Sequence, residues 1–305
     1  MAQTQSAVAA PLQIAERHWY TDVLAEVVAI AKEPRGGIAI FILIVLLLFA
    51  YILPIFDPTD PNFIINAPKN EGPSWGSPMG TDHLARDLLA RNSIGLGRTI
   101  VNGLGAVIVG WFAGIVIGYI AGWRGAKTDI IIMRAIDTLL AFPGILLAIV
   151  MITILREIAV GWDLLPLATA IAIFNVPWVA RLARAGVLRE RGRDYVLAAR
   201  TIGCSGRRIL FRHVAINTFG PFTVQLPLAV VASVLTMAAL NFLGLGAKPP
   251  DPTLGQILLD GSRFMRDDPH YVIGPTIVLA LLMASLNFLS DVMSERFDPV
   301  RRRQV

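Results

Sequence analysis

Between Gly37 and Phe56 the chain reads GIAIFILIVLLLFAYILPIF, twenty residues without a charged side chain. Apolar stretches of comparable length recur at about 99–122, 130–155, 163–182, 218–243 and 271–293. A bilayer core about 30 Å thick takes roughly 20 mainly apolar residues per helix. Inside it each backbone N–H and C=O must find a partner, and a continuous apolar run can do this only as a helix. The pattern therefore predicts an all-α integral membrane protein with about six transmembrane helices. Composition agrees, since 16% of residues are charged and 55% hydrophobic, against about 25% charged in soluble domains.

The spans divide the chain. Residues 1–36 form a tail in which Trp19, Tyr20, Val23, Leu24, Val27 and Ile30 recur at helical spacing among acidic residues, which predicts an amphipathic helix on the membrane surface. Residues 37–56 are the first span, too far from Met1 and without the small-residue cleavage site of a signal peptide. Residues 57–98 form an external loop and amphipathic lead-in, 99–294 a five-helix core containing a long loop at 181–217, and 295–305 a basic tail. With the N-terminus inside, the inner segments hold 19 of the 27 Lys and Arg, while the 22 Asp and Glu divide equally. Cytoplasmic loops attract basic residues in this way, so both termini are predicted to be cytoplasmic.

The net charge of +5 thus belongs to topology, and with no separate basic module nucleic-acid binding is excluded. Catalytic patterns are missing. Gly125 to Thr128 reads GAKT without the glycine spacing and the Gly-Lys-Ser/Thr of a phosphate loop. His18, His83, His213 and His270 are scattered through loops, and Cys204 is alone, so neither a metal set nor a disulfide is predicted. Asp137, Glu157, Asp163 and Asp291 fall near span ends, where water or an arginine can meet them, which argues against a proton relay.

In the second span Gly110, Gly114, Gly118 and Gly122 recur every fourth residue and form a track on which another helix can pack closely. Pro143, Pro177, Pro227 and Pro275 lie inside or beside other spans and permit kinks. The loop 181–217 reads as helix, turn, helix. Asp194 is the expected N-cap of a helix from Tyr195 to Ile202, Gly203 its stop and Ser205 the cap of a second, basic helix. The small pair Ala198 and Ala199 beside that turn would let a narrow feature enter a groove on another protein.

Leu197-Ala198-Ala199, three residues, Gly203, nine residues and His213 resemble the EAA loop of binding-protein-dependent ABC importer permeases. MGTDHLARDLLARNSIGLGRTI, from Met79 to Ile100, resembles the Gly-Thr-Asp-x-x-Gly-Arg-Asp segment of the dipeptide, oligopeptide and nickel branch. FLGLGAKPPDPTLGQILLDG, from Phe242 to Gly261, and the terminal Phe297-Asp298-Pro299 resemble the same branch, so the likeness covers roughly residues 35–300. Three positions depart from it. Leu197 occupies the Glu position of the EAA motif, Ile216 a position where proline often follows the histidine, and Ala85 the second glycine of the Gly-Thr-Asp segment.

The resemblance implies a type I (MetI-like) permease core in a bacterial or archaeal plasma membrane. It implies a second homologous permease subunit, two cytoplasmic ATPase subunits carrying ATP and Mg, an external solute-binding protein and surrounding lipid. It implies no cofactor, catalytic residue or metal in this chain, with the coupling loop, Asp194, Tyr195, Ala198, Ala199, Gly203, Ser205 and His213, meeting the ATPase. Peptides are the implied substrate, with nickel complexes and oligosaccharides carried by the same architecture. A stand-alone secondary transporter is the other class, and it would need intramembrane charges or an inverted repeat.

Overall fold

A computed structural model describes residues 28–158, 165–246 and 250–297. The surface helix expected around Trp19 to Ile30 therefore lies mostly outside the described residues, as do His18, Asp163, Asp298, Pro299 and the basic tail. The described residues include nine helices that frame the fold: α1 Pro34–Phe56, α2 Leu88–Arg124, α3 Ala126–Ala141, α4 Gly144–Ile158, α5 Leu165–Arg191, α6 Asp194–Thr201, α7 Gly220–Phe242, α8 Leu254–Ser262 and α9 His270–Phe297. A shorter segment at 206–217 links α6 toward α7. Five of the helices, α1, α2, α5, α7 and α9, are long and apolar enough to cross a bilayer.

The third span is broken. α3 and α4 meet at 98°. Pro143 supplies no backbone donor and disfavours helical geometry in the residue before it, and Phe142 is extended at φ −83° and ψ 136°. Gly144 lets the turn sit against the Phe174 ring, where an added Cβ would lie 2.2 Å from Cε2. Asp129 and Asp137 of α3 pair with Arg184 and Arg181 of α5, tying the displaced helix to the C-terminal half of α5.

α2 is the central helix, and the lead-in expected before it is its own first turns. Asp87 caps it by accepting the Leu89 and Ala90 N–H groups, which satisfies donors that the helix itself cannot. The glycine track packs along α5. A Cβ at Gly110 would lie 2.5 Å from the Ala172 oxygen, at Gly114 2.8 Å from Val179 Cβ, at Gly118 2.3 Å from the Ala180 oxygen and at Gly122 2.9 Å from Val187 Cβ. The two backbones touch over four helical turns. α5 continues through Pro177 without a break to Arg191.

α1 carries a π turn over Leu48–Ile52. Such a turn loosens the ladder of backbone bonds, and here the Phe49 carbonyl accepts Ser93 Oγ at 2.7 Å while Tyr51 donates to the Gly97 carbonyl at 3.3 Å. Beside the start of α1 Arg296 of α9 meets Glu33 and donates to the Ala29 carbonyl, both at 2.8 Å. Between α2, α4, α5 and α7 the packed interior includes Ala106, Ile152, Ile171, Met237 and Leu240. Phe41, Val109, Phe112 and Ile131 point outward, a distribution suited to lipid or to another membrane chain and too apolar for water.

Candidate functional site

The loop after α5 folds as a helix, a left-handed turn and a second, irregular helical segment. α6 begins at Asp194, so its N-cap is Arg193 and not Asp194 as the sequence led us to expect. Asp194 lies in the first turn, where its negative charge still favours the helix dipole. The backbone turns at Gly203, φ 82°, closed by the Gly203 and Cys204 N–H groups donating to the Arg200 and Ala199 carbonyls. Ser205 precedes Gly206–Ile209 as the N-cap but makes no side-chain cap bond. The second helix is not regular, because Leu210–Val214 is a π turn that contains His213.

The alanine pair divides between two faces. Val196 and Ala199 are buried and pack with Ile209, Leu210, Val214, Val187 and Tyr119, so Ala199 cannot enter a partner's groove. Ala198 is exposed, beside Leu197 at 53% exposure and Ile202 at 79%. An added Cβ at Gly203 would meet nothing within 4 Å. The free surface is thus an apolar tip of Leu197, Ala198 and Ile202 around an open glycine turn, flanked by the exposed Arg193, Arg200, Arg207, Arg208 and Arg212. Ile202 carries no motif signature, and only its position one residue before the turn makes it protrude.

The buried side of this unit is fixed to the bundle. Arg200 lies over the Trp123 ring of α2 at 5.4 Å from its centroid, and a Cβ at Gly206 would lie 3.2 Å from Trp123 Nε1. Arg191 donates to the Gly122 carbonyl at 3.3 Å. Tyr195 donates to Glu190 at 3.0 Å, and burial, with this carboxylate beside it, raises the phenol above its ordinary value so that it stays a protonated donor. Tyr119 and Thr218 hydroxyls meet at 2.6 Å and join α2 to the approach of α7. A push on α6 therefore reaches α2 and α5 together, because the glycine track holds those helices backbone to backbone from Gly110 to Gly122.

At the other end of the bundle the Gly-Thr-Asp segment forms a seat for the 57–87 loop. The fully buried Asp82 accepts the Leu84 and Arg86 backbone N–H groups at 2.8 and 2.9 Å and Arg86 Nε at 2.6 Å. Arg91 approaches the same carboxylate at 3.5 Å and donates to the Pro61 carbonyl. His83 Nδ1 lies 3.0 Å from the Tyr271 hydroxyl of α9, with Phe264 stacked nearby. Burial lowers the His83 pKa from 6.5, Asp82 and Asp260 opposing the shift and Arg86 and Arg91 adding to it. Gly80, φ 81°, admits no side chain, since a Cβ would lie 2.3 Å from the Glu71 oxygen. His270 is in this region and His213 is in the π turn after α6, and no metal-holding group of three His, Cys, Asp or Glu occurs among the described residues.

Residues 114–303 match the model of the family described as binding-protein-dependent transport system inner membrane component. The dipeptide transport system permease protein of Haemophilus influenzae is 35% identical over 88% of this chain and 92% of its own length. The glutathione transport system permease protein of Pectobacterium atrosepticum is 34% identical over 93% and 90% respectively. A chain from a structure of the MetNI methionine ABC transporter superposes with a TM-score of 0.51 and 19% identity, covering 66% of this chain and 94% of that one. At that identity the likeness bears on the fold, which is the MetI-like permease core.

Proposed function

This chain belongs to the family of binding-protein-dependent transport system inner membrane components, and from that premise we propose how it works as a permease subunit of an ABC-type peptide importer. The peptide assignment follows its relatives, named for dipeptide and glutathione transport. The chain forms one half of the translocation pathway, pairs with a second homologous permease, and takes solute from an external binding protein. Two ATPase subunits hold ATP and Mg on the cytoplasmic side. This subunit hydrolyses nothing and transmits movement. Both termini face the cytoplasm, a reading supported by the distribution of basic residues.

The observation that carries the mechanism is the two-sided α6. Its exposed side, Leu197, Ala198, Ile202 and the Gly203 turn, has no partner among the described residues, and its buried side is packed into the cluster that joins α2 and α5. Closure of the ATPases around ATP moves the seated tip, the rigid α2–α5 pair moves with it, and the two permease halves rock between inward- and outward-facing arrangements. Leu197 in place of a glutamate makes this contact apolar, with the neighbouring arginines at its rim.

Reconstitution tests the proposal. The chain, a second permease of the same operon, both ATPases and the binding protein, placed in liposomes, are expected to accumulate labelled dialanine only with ATP and only with all components. Accumulation by this chain without ATPases would contradict the assignment.

A further inference from the structure

Between α2 and the segment 206–219 runs an open groove of about 600 Å³. Phe112, Val116 and Ile120 of α2 form one wall, and Phe211, Ile216 and Phe219 the other. Among the described residues that line it only Tyr119 carries a polar group, and that hydroxyl is taken by Thr218 at 2.6 Å. The six wall residues are all exposed, and water is a poor neighbour for a surface this apolar. The two walls run in opposite directions: Gly206 faces Trp123 near the end of α2, Thr218 faces Tyr119, and Phe222 faces Trp111. Arg208 and Arg212 therefore stand at the end of the groove where α2 finishes with Arg124. Each lies one turn before a wall residue of its own segment, Phe211 or Ile216, and so on the same helical face. Both arginines are exposed, and neither has an acidic partner among the described residues. From Arg124 back to Phe112 is about 18 Å along a helix, close to half of a bilayer core about 30 Å thick. The groove thus has the length of one leaflet, with its cations at one end.

We propose that this groove seats one anionic phospholipid: an acyl chain lies between the α2 wall and Phe211, Ile216 and Phe219, and the phosphate accepts hydrogen bonds from the Arg208 and Arg212 guanidinium groups. The planar guanidinium fork suits a phosphate, whose charge meets both cations without an acidic residue. On the topology proposed above the basic end lies at the cytoplasmic surface, where basic clusters beside membrane helices take anionic headgroups. A second membrane chain would have to supply both an apolar ridge and a carboxylate at the membrane surface, whereas an anionic lipid carries both features in one molecule. The proposal is independent of the solute carried.

The test titrates the assembled complex in detergent with radiolabelled dioleoyl phosphatidylglycerol. The wild type is expected to show a saturable site that unlabelled phosphatidylglycerol empties. Neither dioleoyl phosphatidylcholine, which lacks the net charge, nor glycerol phosphate, which lacks the chains, should empty it at the same concentration. Arg208→Gln combined with Arg212→Gln should weaken binding about thirtyfold, the worth of two basic residues at an anionic surface. Ile216→Trp, at a position 68% exposed, fills the groove and should remove the site while the complex is recovered as in the wild type. The proposal is overturned if no saturable site is found, if phosphatidylcholine displaces the label equally, or if glycerol phosphate does, since a free phosphate would then suffice. It is overturned too if either the glutamine pair or Ile216→Trp leaves the site unchanged. Loss of the second permease from Ile216→Trp complexes would also overturn it, because the groove would then be covered by that chain.

Discussion

Ala85 stands where the related segment has glycine, and the backbone there is left-handed at φ 61°. A Cβ in this region is disfavoured by about 1–2 kcal/mol, whereas glycine adopts it freely at some cost in unfolded-state entropy. The bend is not optional, because the Ala85 N–H donates to the Asp82 carbonyl and its own carbonyl accepts Ile65 N–H at 2.8 Å. Ala85→Gly is expected to stabilise the seat of the outer loop by about 1 kcal/mol, read as slower amide exchange over residues 57–87. Faster exchange would mean that the left-handed bend is relaxed in solution. His83 offers a second test in the same seat. Its pKa is lowered in the fold, so the unfolded chain binds the proton more readily, and stability should fall as pH drops through 6.5 toward the lowered value and level off beneath it. Asp82, Asp260, Arg86, Arg91 and Tyr271 surround the ring. Protection factors over 57–87, with the intrinsic pH dependence of amide exchange divided out, should fall between pH 7.5 and 5.5 in the wild type and much less in His83→Gln; an equal response in both would remove His83 as the cause.

At the scale of elements, the tightest packing is the α2–α5 contact. Gly114→Leu would drive a branched side chain into Val179 and the Val176 carbonyl, already 2.8 and 2.9 Å from a bare Cβ, and backbone on one side cannot yield as a side chain can. Overpacking of this kind costs about 1–3 kcal/mol or more. Gly114→Leu should sharply lower the amount of folded protein recovered, whereas Val109→Leu on the outward face, at 62% exposure, should not; equal recovery would show that the track is not a packing face. The track itself was legible, since four glycines at every fourth position name a face of a helix. Its partner was not, because the contacts lie more than 60 residues away in a helix without a matching pattern. Pro143 marked a possible kink, but a break of 98° depends on Phe174 and on two ion pairs between α3 and α5 that spacing alone does not reveal. In the inner loop the turn at Gly203 could be read from residue type. Which alanine faces outward could not, because Ala198 and Ala199 are chemically identical and only the phase of α6 on the bundle separates them. The expected Asp194 cap missed by one residue for a related reason: aspartate serves either as a cap or in the first turn.

For the whole molecule, the claim is that movement enters at the tip of α6 and travels as a rigid displacement of α2 and α5 to the centre of the membrane. Every link on this route is packed or bonded: Arg200 on Trp123, Arg191 on the Gly122 carbonyl, Val196 and Ala199 in the inner cluster, and the glycine track above them. The entry point alone lacks a partner among the described residues. Gly203 makes it testable, because a Cβ there meets no atom of the described residues within 4 Å, so a side chain leaves the turn toward what docks from outside. Wild-type levels in the membrane show that the strain of a side chain at φ 82° has not unfolded the variant. Asparagine tolerates the positive φ and is small; tryptophan is large. The decisive measurement is therefore ATP-driven dialanine uptake, with co-purification of the ATPase subunits, by Gly203→Asn and Gly203→Trp complexes present in the membrane at wild-type levels. The account predicts near-normal uptake for Gly203→Asn and, for Gly203→Trp, uptake reduced more than tenfold with poor recovery of the ATPases, whereas normal uptake by Gly203→Trp with the ATPases still bound would contradict it.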